Sequence, residues 1–440
     1  MKITVVGTGY VGLVQGVILA EFGMDVICLD SDLAKIAQLN QGILPIYEPG
    51  LKEVMDKNIL AGRLRFTSDA TLAYRHGAVI FIAVGTPAQD DGSADLSSVL
   101  AVAHAIGASI DEYKVIVNKS TVPVGTGKLV RQTLQERLEQ RQVAVAFDIV
   151  SNPEFLREGK ALSDCLRPDR VVIGCESETA RIIMQNVYNV LYINQTPFVF
   201  TNLETAEMIK YAANSFLAVK ISFINEIALL AEKVGANTQE IAKAMGMDGR
   251  ISPKFLHCGP GYGGSCFPKD TQALVTIAAD YNEEMLVVKA AIAANEKQKL
   301  RMIAKIITTL GHVRGKTIGV LGLSFKPDTD DLRDAPALAI LRGLVGAGAL
   351  IRAFCPEGIK EARWRLSDIE KSLTYCANEY AVAHQADALV IITEWNQFRG
   401  LDLNELKKAM AGDFFFDLRN IFTKSAEVRA LFKYFPVGQQ

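Results

Sequence analysis

The chain has 440 residues and a net charge of -2, with 47 basic and 49 acidic residues in near balance. That balance provides no basic surface of the kind that binds nucleic acid or anionic membranes, so neither partner is expected. Hydrophobic residues make up 49% of the sequence, which is enough for more than one sizeable core, and the length predicts two or three domains.

The N-terminus and the cysteines bear on the location of the protein. A secretion signal needs a longer apolar run than Ile3–Val6, which ends in a glycine-rich turn. We find no run of about 18 consecutive apolar residues, the length that a membrane span requires, and therefore expect no membrane span and a cytoplasmic location. The seven cysteines show no CxxC spacing, so the sequence predicts neither a disulfide framework nor a metal site.

Strand and helix patterns alternate over the first 200 residues. Short β-branched or apolar runs predict strands at residues 3–6, 24–30, 78–84, 114–118 and 148–151. Helical stretches separate these runs, and residues 12–22 form the first of them. Short apolar runs that alternate with helices are typical of βαβ units and of a parallel sheet.

The turn after the first predicted strand carries the sequence GTGYVG, which fits the pattern G-x-G-x-x-G. Gly7 permits a tight turn, Gly9 lets a pyrophosphate approach the backbone, and Gly12 allows close packing of helix and strand. Asp30 ends the second predicted strand, where a carboxylate accepts hydrogen bonds from ribose hydroxyls and repels a 2′-phosphate. The motif predicts a dinucleotide site that favours NAD over NADP, although FAD uses a similar fingerprint.

Residues 201–235 contain no proline, and their only glycine is the last residue. They predict one helix of roughly 50 Å at 1.5 Å per residue. Its apolar residues lie on more than one face, so the helix needs partners on several sides, and we expect one of them to be a second copy of the chain. Two shorter helices separated by a bend are the alternative.

The βα pattern returns after Gly311, with strands predicted at 316–321 and 387–393. Residues 236–310 have a helical pattern that a glycine-rich stretch near residue 260 interrupts. The expected fold is α/β, with two Rossmann-like parallel-sheet domains joined by a long central helix. The predicted domains are an NAD-binding domain at 1–200, a central helical domain at 201–310 and a C-terminal α/β domain at 311–440.

The most unusual stretch is GPGYGGSCFPKD at residues 259–270, in which four glycines fall within six positions. Such a sequence frees the backbone to wrap closely around a ligand. Cys266 follows the glycines, with Lys269 and Asp270 just beyond, and a cation near a thiol favours the nucleophilic thiolate. The alternative is a buried packing thiol, which is the interpretation that we keep for the other six cysteines.

Further polar residues are candidates for chemistry. Lys210 and Asn214 lie four residues apart and share one face of the long helix, although by spacing alone Glu207 and Lys210 form a solvated surface pair. Residues 152–158 (NPEFLRE) follow a predicted strand, and ligands of parallel sheets bind beyond the carboxyl ends of strands. An ordinary turn is the alternative there. Residues 120–123 (STVP) also follow a strand and supply hydroxyls that could meet the cofactor or a reacting water.

Seven motifs carry a family resemblance when they are considered together. They are GTGYVG (7–12), FIAVGTP (81–87), STVPVGT (120–126), NPEFLREG (152–159), EMIKYAANSF (207–216), GPGYGGSCFPKD (259–270) and LGLSFKPDTDDLRDAP (321–336). In this order, and over about the whole chain, they resemble the UDP-glucose/GDP-mannose dehydrogenase family, and within it the UDP-glucose 6-dehydrogenases. Ser265 stands where UDP-N-acetylmannosamine dehydrogenases usually have a histidine. GDP-mannose or another UDP-sugar is the alternative substrate.

The resemblance implies an NAD-dependent, four-electron oxidation of UDP-glucose to UDP-glucuronate at C6, whose product serves polysaccharide biosynthesis. Cys266 would attack the aldehyde to form a thiohemiacetal, whose oxidation gives a thioester that water hydrolyses. The implied catalytic residues are Cys266, Lys210, Asn214, Asp270, Glu154 and Thr121.

The resemblance also implies a role for each of these residues. Lys210, assisted by Asn214, would stabilise oxyanions near C6. Asp270 would lie within hydrogen-bond reach of Lys210 or of a water. Glu154 would be the general base of thioester hydrolysis, which requires a raised pKa or a well-placed water, and Thr121 would help to position that water.

Binding residues follow from the same resemblance. Those for NAD are Gly7, Gly9, Tyr10, Val11, Gly12, Asp30, Lys35, Thr86, Thr121, Glu158, Lys269 and Arg333. Those for UDP-glucose are Glu154, Phe155, Leu156, Arg157, Glu158, Lys210, Asn214, Arg250, Phe255, Leu256, His257, Cys258, Gly259, Gly263 and Lys326. Arg250 would reach the substrate of a neighbouring subunit, so a homodimer through the central helix would be the minimal active unit. Lys326 would make the C-terminal domain a UDP-sugar-binding domain.

Two functions of other classes are compatible with the same first domain. A two-electron alcohol or β-hydroxyacid dehydrogenase has the same glycine-rich dinucleotide site and the same long helix, but it needs no cysteine nucleophile. An NAD-sensing binding protein would turn over no nucleotide sugar and would leave the glycine-rich loop of Cys266 unexplained.

Overall fold

The computed structural model describes residues 1–439, which divide into two compact units. The first unit comprises Met1–Ala213 and Thr276–Glu283, and the second comprises Asn214–Val275 and residues 284–439. Each unit has its own sheet, with helices between consecutive strands, and its own apolar core. The predicted α/β fold with two parallel-sheet domains is confirmed.

The first unit contains eight strands and eight α-helices. The strands are β1 (Lys2–Val6), β2 (Asp25–Leu29), β3 (Leu64–Thr67), β4 (Val79–Ile82), β5 (Lys114–Asn118), β6 (Phe147–Ser151), β7 (Val171–Cys175) and β8 (Phe198–Thr201). The helices are α1 (Tyr10–Glu21), α2 (Leu33–Asn40), α3 (Leu51–Leu60), α4 (Ala70–His76), α5 (Ser97–Ser109), α6 (Thr126–Gln140), α7 (Ala161–Leu166) and α8 (Glu178–Val187), with a 3-10 helix at Asn189–Asn194.

The eight strands form one sheet in the order β3-β2-β1-β4-β5-β6-β7-β8. All neighbours are parallel except β6 and β7, where Val150 lies opposite Cys175 in an antiparallel pair that the sequence did not predict. Antiparallel neighbours need no helical crossover, and the chain therefore leaves β6 and enters β7 at the same end of the sheet. Residues 152–170 consequently stay at the carboxyl end of β6, where ligands of such sheets bind.

The central strands are uninterrupted apolar runs because both faces of the sheet are covered. Every residue of β4 and of β5 is buried. Alternate residues of β4 enter different apolar clusters, with Phe81 in one and Ile82 in the other. The strand order reverses between β1 and β4, and the crevice beyond their carboxyl ends is the place where a dinucleotide binds in this architecture.

The remaining elements begin with the long helix. The helices are α9 (Leu203–Val234), α10 (Thr238–Gly246), α11 (Phe267–Asp280), α12 (Leu286–Leu310), α13 (Pro336–Gly346), α14 (Ile359–Arg365), α15 (Leu403–Ala409) and α16 (Ala426–Leu431), with 3-10 helices at Ser367–Ser372, Ala381–Ala383 and Asn396–Gly400. The strands are β9 (Thr317–Leu321), β10 (Leu350–Phe354), β11 (Leu373–Tyr375), β12 (Ala388–Ile391), β13 (Phe414–Asp417) and β14 (Lys433–Pro436).

The sheet of the second unit is parallel throughout, in the order β11-β10-β9-β12-β13-β14. This order repeats that of the first six strands of the other sheet, so both sheets have a reversal point beside their first strand. The turn after β9 contains Gly322 at φ +88°, where a Cβ would lie 2.5 Å from the Cβ of Thr393. The close approach of these two loops explains the glycine.

Helix α9 is continuous over 32 residues, which corresponds to roughly 48 Å. The prediction of one long helix is thus confirmed, and the alternative of two helices with a bend is wrong. Over residues 1–439, α9 is the one helix that is long and apolar enough to cross a membrane by length and composition. Polar residues such as Asn214 and Asn225 interrupt its apolar residues, so α9 contains no run of 18 consecutive apolar residues. A core helix of a globular protein passes the same test.

Candidate active site

The glycine-rich turn between β1 and α1 has the shape that a dinucleotide requires. Gly7 has φ +96°, and a Cβ on Gly12 would lie 1.9 Å from the carbonyl oxygen of Gly7. Gly9 is different, because a Cβ there would meet nothing within 4 Å, and no side chain caps the helix that begins after it. The first N–H groups of α1 thus face open space, which fits the pyrophosphate of NAD.

Asp30 follows β2 and lies beside this turn. Its carboxylate accepts hydrogen bonds from the N–H and hydroxyl of Thr8 at 2.8 and 2.7 Å, from Asp32 N–H at 3.0 Å and from Lys35 Nζ at 3.1 Å. Partial burial favours a higher pKa, but these hydrogen bonds outweigh it and lower the pKa of Asp30 to about 2. The group is therefore a carboxylate at any physiological pH, as a ribose acceptor must be.

Two contacts join the loops around the turn. Thr86 Oγ1 donates to the carbonyl oxygen of Thr121 at 2.8 Å, which links the loops after β4 and β5. The Tyr10 hydroxyl bonds to the Glu48 carboxylate, and Gly159 N–H donates to both, at 2.6 Å to Glu48 and 3.1 Å to Tyr10. The glycine-rich turn is thereby tied to the loop after β6. Sequence reasoning missed Glu48, because only the fold brings it to Tyr10.

Glu154 and Lys210 form a buried ion pair at the carboxyl end of β6. Lys210 Nζ lies 2.8 Å from Glu154 Oε1, and the two side chains are 3% and 5% exposed. Burial alone favours a higher pKa for Glu154, but the Lys210 ammonium, together with the Leu156 N–H, outweighs it and lowers the pKa. Glu154 is thus a charged carboxylate in this state, with its basicity reduced by Lys210 rather than raised.

A second ammonium, Lys119, lies fully buried behind this pair. Its Nζ is 3.2 Å from Asn152 Oδ1 and 3.4 Å from the Tyr188 hydroxyl, so its partners are neutral. Burial lowers the pKa of Lys119 to about 8, and the Glu154 charge opposes that change in part. Sequence reasoning did not single out Lys119. The only available signal was its position at the end of a strand, next to the STVP segment.

Glu207 does not form the surface pair that its spacing to Lys210 suggested. It is 3% exposed and accepts hydrogen bonds from Gly125 N–H at 2.7 Å, Gly127 N–H at 2.8 Å and Ser151 Oγ at 3.0 Å. Burial raises the pKa of Glu207 although these three donors oppose the shift. The surface interpretation is wrong because Glu207 of α9 bonds to the start of α6 and to the end of β6.

In the second unit, Cys266 directly precedes α11, and its carbonyl oxygen accepts the helical hydrogen bond of Asp270 N–H. Its sulfur lies 3.6 Å from Ser265 Oγ and is partly exposed. The N-terminus of a helix stabilises negative charge, so this position favours the thiolate. No disulfide involves any of the seven cysteines, all of which are among the described residues.

The glycine-rich loop before Cys266 is fixed by amide side chains from two helices. Asn225 Oδ1 of α9 accepts Gly259 N–H at 2.8 Å, and Gln298 Nε2 of α12 donates to the Gly259 carbonyl at 2.8 Å. Asn295 bonds to both the N–H and the carbonyl oxygen of Tyr262. Sequence reasoning missed all three amides, since nothing in their own helices distinguishes them from other polar residues.

Asp270 links two other residues that the resemblance assigns to the site. Asn214 Nδ2 donates to Asp270 Oδ2 at 2.6 Å, and Lys269 Nζ donates to Asp270 Oδ1 at 2.6 Å. Asp270 is 1% exposed, so it holds both side chains in place. In α9, Asn214 follows Lys210 by one helical turn.

The remaining assigned residues have local partners. Arg333 pairs with Asp331, and its carbonyl oxygen accepts Gly264 N–H at 2.7 Å. Arg157 pairs with Asp164.

Four other assigned residues lie in different surroundings. Lys326 Nζ lies 5.4 Å from the Phe325 ring. Phe255 has φ +66°, an uncommon value for a residue with a side chain, and His257 is exposed. Arg250 is 89% exposed and pairs with Asp248.

Comparison with known proteins places these features in one family. Residues 1–192 match the NAD binding domain of the UDP-glucose/GDP-mannose dehydrogenase family, residues 204–297 its central domain and residues 319–424 its UDP binding domain. A UDP-glucose 6-dehydrogenase of Rhizobium meliloti (strain 1021) is 51% identical, with both chains fully covered. Another, of Bacillus subtilis (strain 168), is 46% identical, over 100% of this chain and 93% of the relative.

A solved structure gives the same result. The UDP-glucose dehydrogenase of Pyrobaculum islandicum superimposes with a TM-score of 0.91 at 38% identity, over 100% of this chain and 98% of that one. The agreement therefore extends over both units of the chain.

Replacement of Lys210 should expose the energetics of the buried pair. We expect Lys210→Met to lower the free energy of unfolding by about 3 to 5 kcal/mol at neutral pH, because Glu154 is left buried without its cation. In wild type the lowered pKa of Glu154 contributes stability that is lost as the pH falls through that pKa. In the variant burial raises the pKa, and the resulting penalty disappears on acidification. The difference between the two proteins should therefore shrink from about pH 7.5 to about pH 5 in denaturant titrations.

The matched control is Lys52→Met, which breaks the exposed i,i+4 pair with Asp56. It should cost less than about 1 kcal/mol at either pH. A Lys210→Met effect that is equally small, or that does not depend on pH, would contradict the role of this pair.

Proposed function

Because the chain belongs to the UDP-glucose/GDP-mannose dehydrogenase family and is an NAD-dependent oxidoreductase, we propose that it oxidises C6 of UDP-glucose to the carboxylate of UDP-glucuronate. The observation that carries the proposal is Cys266, a thiol at the start of a helix in a rigidly supported glycine-rich loop. A two-electron dehydrogenase has no use for such a nucleophile. The names of the two relatives support UDP-glucose as the sugar nucleotide.

The proposed chemistry divides between the cofactor and the chain. NAD+, bound at the glycine-rich turn, supplies the hydride acceptor in each of two oxidations. Cys266 attacks C6 of the aldehyde to form a thiohemiacetal, which the second oxidation converts to a thioester. Lys210 and Asn214 stabilise negative charge on the C6 oxygen, as a fixed cation and an amide donor do well. Asp270 holds Asn214 in position.

Glu154 is proposed to accept a proton from water during hydrolysis of the thioester, with Thr121 positioning that water. Its pKa is lowered by Lys210, which makes it a poor base as long as the pair is intact. When Lys210 shifts toward an oxyanion on the substrate, Glu154 loses the contact that lowers its pKa. The carboxylate thus becomes a stronger base at the step that uses it.

We assign the three predicted domains the parts that the resemblance implies. Residues 1–200 bind NAD, residues 201–310 form the helical spine, and residues 311–440 bind the UDP-sugar with Lys326. The loop after β6 (residues 154–158) and residues 255–259 line the sugar. We also propose a cytoplasmic location, in keeping with an apolar run at Ile3–Val6 that is shorter than a secretion signal needs and with the lack of CxxC spacing in the sequence.

Helix α9 supports the further proposal of a homodimer. Phe216, Phe223 and Leu230 lie seven residues apart, on one face of the helix, and are 64%, 46% and 58% exposed. A regular stripe of large apolar side chains in solvent is typical of a helix that packs against another one. A second copy of α9 provides a matching stripe, and Arg250 would then meet the substrate of that copy.

The first test is an NADH assay with purified protein against UDP-glucose, GDP-mannose, UDP-galactose and UDP-N-acetylmannosamine. We expect about two NADH for each UDP-glucose consumed, since both oxidations occur before release, and little turnover with the other sugars. A clear preference for another nucleotide sugar would refute the assignment. One NADH per sugar would instead indicate a two-electron dehydrogenase.

Replacement of Cys266 separates the two halves of the reaction. Cys266→Ala should abolish formation of UDP-glucuronate, because neither the thiohemiacetal nor the thioester can form. Cys355→Ala, which removes a buried thiol elsewhere in the same unit, should leave the product stoichiometry unchanged. Persistence of full four-electron turnover in Cys266→Ala, measured by chromatography of the product, would rule out the covalent mechanism.

Replacement of Phe223 tests the dimer. Phe223→Lys places a charge in the middle of the stripe and should convert dimer to monomer in analytical ultracentrifugation. Leu60→Lys makes the same kind of change at a side chain that is 91% exposed on α3, and it should leave the dimer intact. The proposal fails if wild type sediments as a monomer, or if Phe223→Lys remains a dimer.

A further inference from the structure

A small polar cavity lies in the first unit, between the ends of β5 and β6 and helix α9. The residues that line the cavity include Asn118, Thr121, Pro153, Glu207 and Lys210. The cavity has about 10 Å³ of space for the centre of a water molecule, within a recess of about 190 Å³ that includes open solvent. The inner space suffices for about one water, and the recess lets that water be replaced.

Asn118, the last residue of β5, is the unusual member of this group. Its side chain is 2% exposed, and neither Nδ2 nor Oδ1 has a hydrogen-bond partner within the protein. Leaving a buried amide unsatisfied is unfavourable, and most buried polar groups of this kind bind an ordered water. Its backbone cannot move away, because the Asn118 carbonyl accepts Asn152 N–H at 2.9 Å. The amide and the cavity together therefore indicate a water site.

The other polar groups are placed to complete the coordination of that water. Thr121 has a hydroxyl, which can donate and accept, and Glu207 has a carboxylate. Lys210, which also lines the cavity, pairs with Glu154, the residue after Pro153. A buried water typically makes two to four hydrogen bonds, and these groups supply that number.

We propose that Asn118 holds the water that hydrolyses the thioester on Cys266, an inference that rests on the function proposed above. An amide carries both an acceptor and a donor, so Asn118 fixes the orientation of the water as well as its place. One water proton then bonds to Asn118 Oδ1, the other is available to Glu154, and a lone pair remains for the carbonyl carbon. Thr121 alone could hold the water but would let it rotate.

The step balances without any further reactant. The water oxygen forms a bond to C6, the bond between C6 and sulfur breaks, and Cys266 leaves as a thiolate. One proton of the water goes to Glu154, and the other remains on the new carboxyl group until it ionises. No electrons are transferred, so both NADH molecules have formed before this step.

Asn118→Leu is the decisive variant, because leucine has nearly the same shape and removes both polar atoms. In quench-flow with excess NAD+ we expect a burst of about two NADH per active site, as in wild type, followed by a steady-state rate that is about 10- to 100-fold lower. Intact-mass spectrometry should show the glucuronyl adduct accumulating on Cys266. The ratio kcat/KM for UDP-glucose should change by less than about twofold, because the steps up to the thioester are unaffected, whereas KM should fall together with kcat as the adduct accumulates.

Asn118→Ala also removes the amide and should accumulate the same adduct, which keeps the test available if the leucine variant does not fold. The matched control is Tyr375→Phe, which removes a different buried polar group without a partner, a hydroxyl in the sheet of the second unit. It should behave as wild type.

Two results would overturn the proposal. The first is wild-type turnover in Asn118→Leu, which would mean that the cavity is dry or that its water does not react. The second is loss of the burst itself, which would mean that Asn118 acts before hydrolysis. Failure of the proposed function is recognised separately, because wild type would then give fewer than two NADH per sugar or no dependence on Cys266.

Discussion

The constraint on which the rest of the first unit depends is the burial of an ammonium group at the carboxyl ends of β5 and β6. Lys210 is 3% exposed, and burying a charge in such a place costs much free energy unless a counter-charge lies next to it. Glu154 supplies that charge and also accepts the N–H of Leu156. The loop after β6 is thereby held where the ion pair requires it. Phe155, the next residue, lies with its ring 5.3 Å from the ammonium.

Glu154 and Glu207 share this environment, but their pKa values are shifted in opposite directions. Glu154 faces an ammonium, which lowers its pKa, whereas the hydrogen-bond donors to Glu207 are neutral N–H and hydroxyl groups, and burial raises its pKa. Both lie within one helical turn of Lys210 on α9 or contact it directly. Proton-transfer sites commonly rest on such a division, in which one group stays charged and a neighbour holds a proton more readily.

The central strands of both sheets and α9 could be predicted from the sequence, because buried strands and helices carry their packing in their own residues. The strand predicted at 114–118 has the bounds of β5, for example. The sequence was insufficient wherever a role depends on a distant partner. Glu207 has the spacing of a surface residue, and only the ends of α6 and β6 show that it is buried. Asn118, Lys119 and Glu48 were not predicted as site residues, since their roles depend on residues of other loops.

The hydrogen bonds of Asp30 determine how strongly the predicted dinucleotide site can hold a ribose. Three of the four hydrogen bonds that the Asp30 carboxylate accepts go to Oδ2, and the fourth, from Asp32 N–H, goes to Oδ1. Oδ1 therefore keeps an acceptor site that a ribose hydroxyl can use. A hydroxyl that binds there exchanges a hydrogen bond to water for one to the protein, so the net gain in binding free energy is modest. Such a site suits the reaction that we propose, in which NADH is exchanged for NAD+ between two oxidations while the bond to Cys266 retains the sugar.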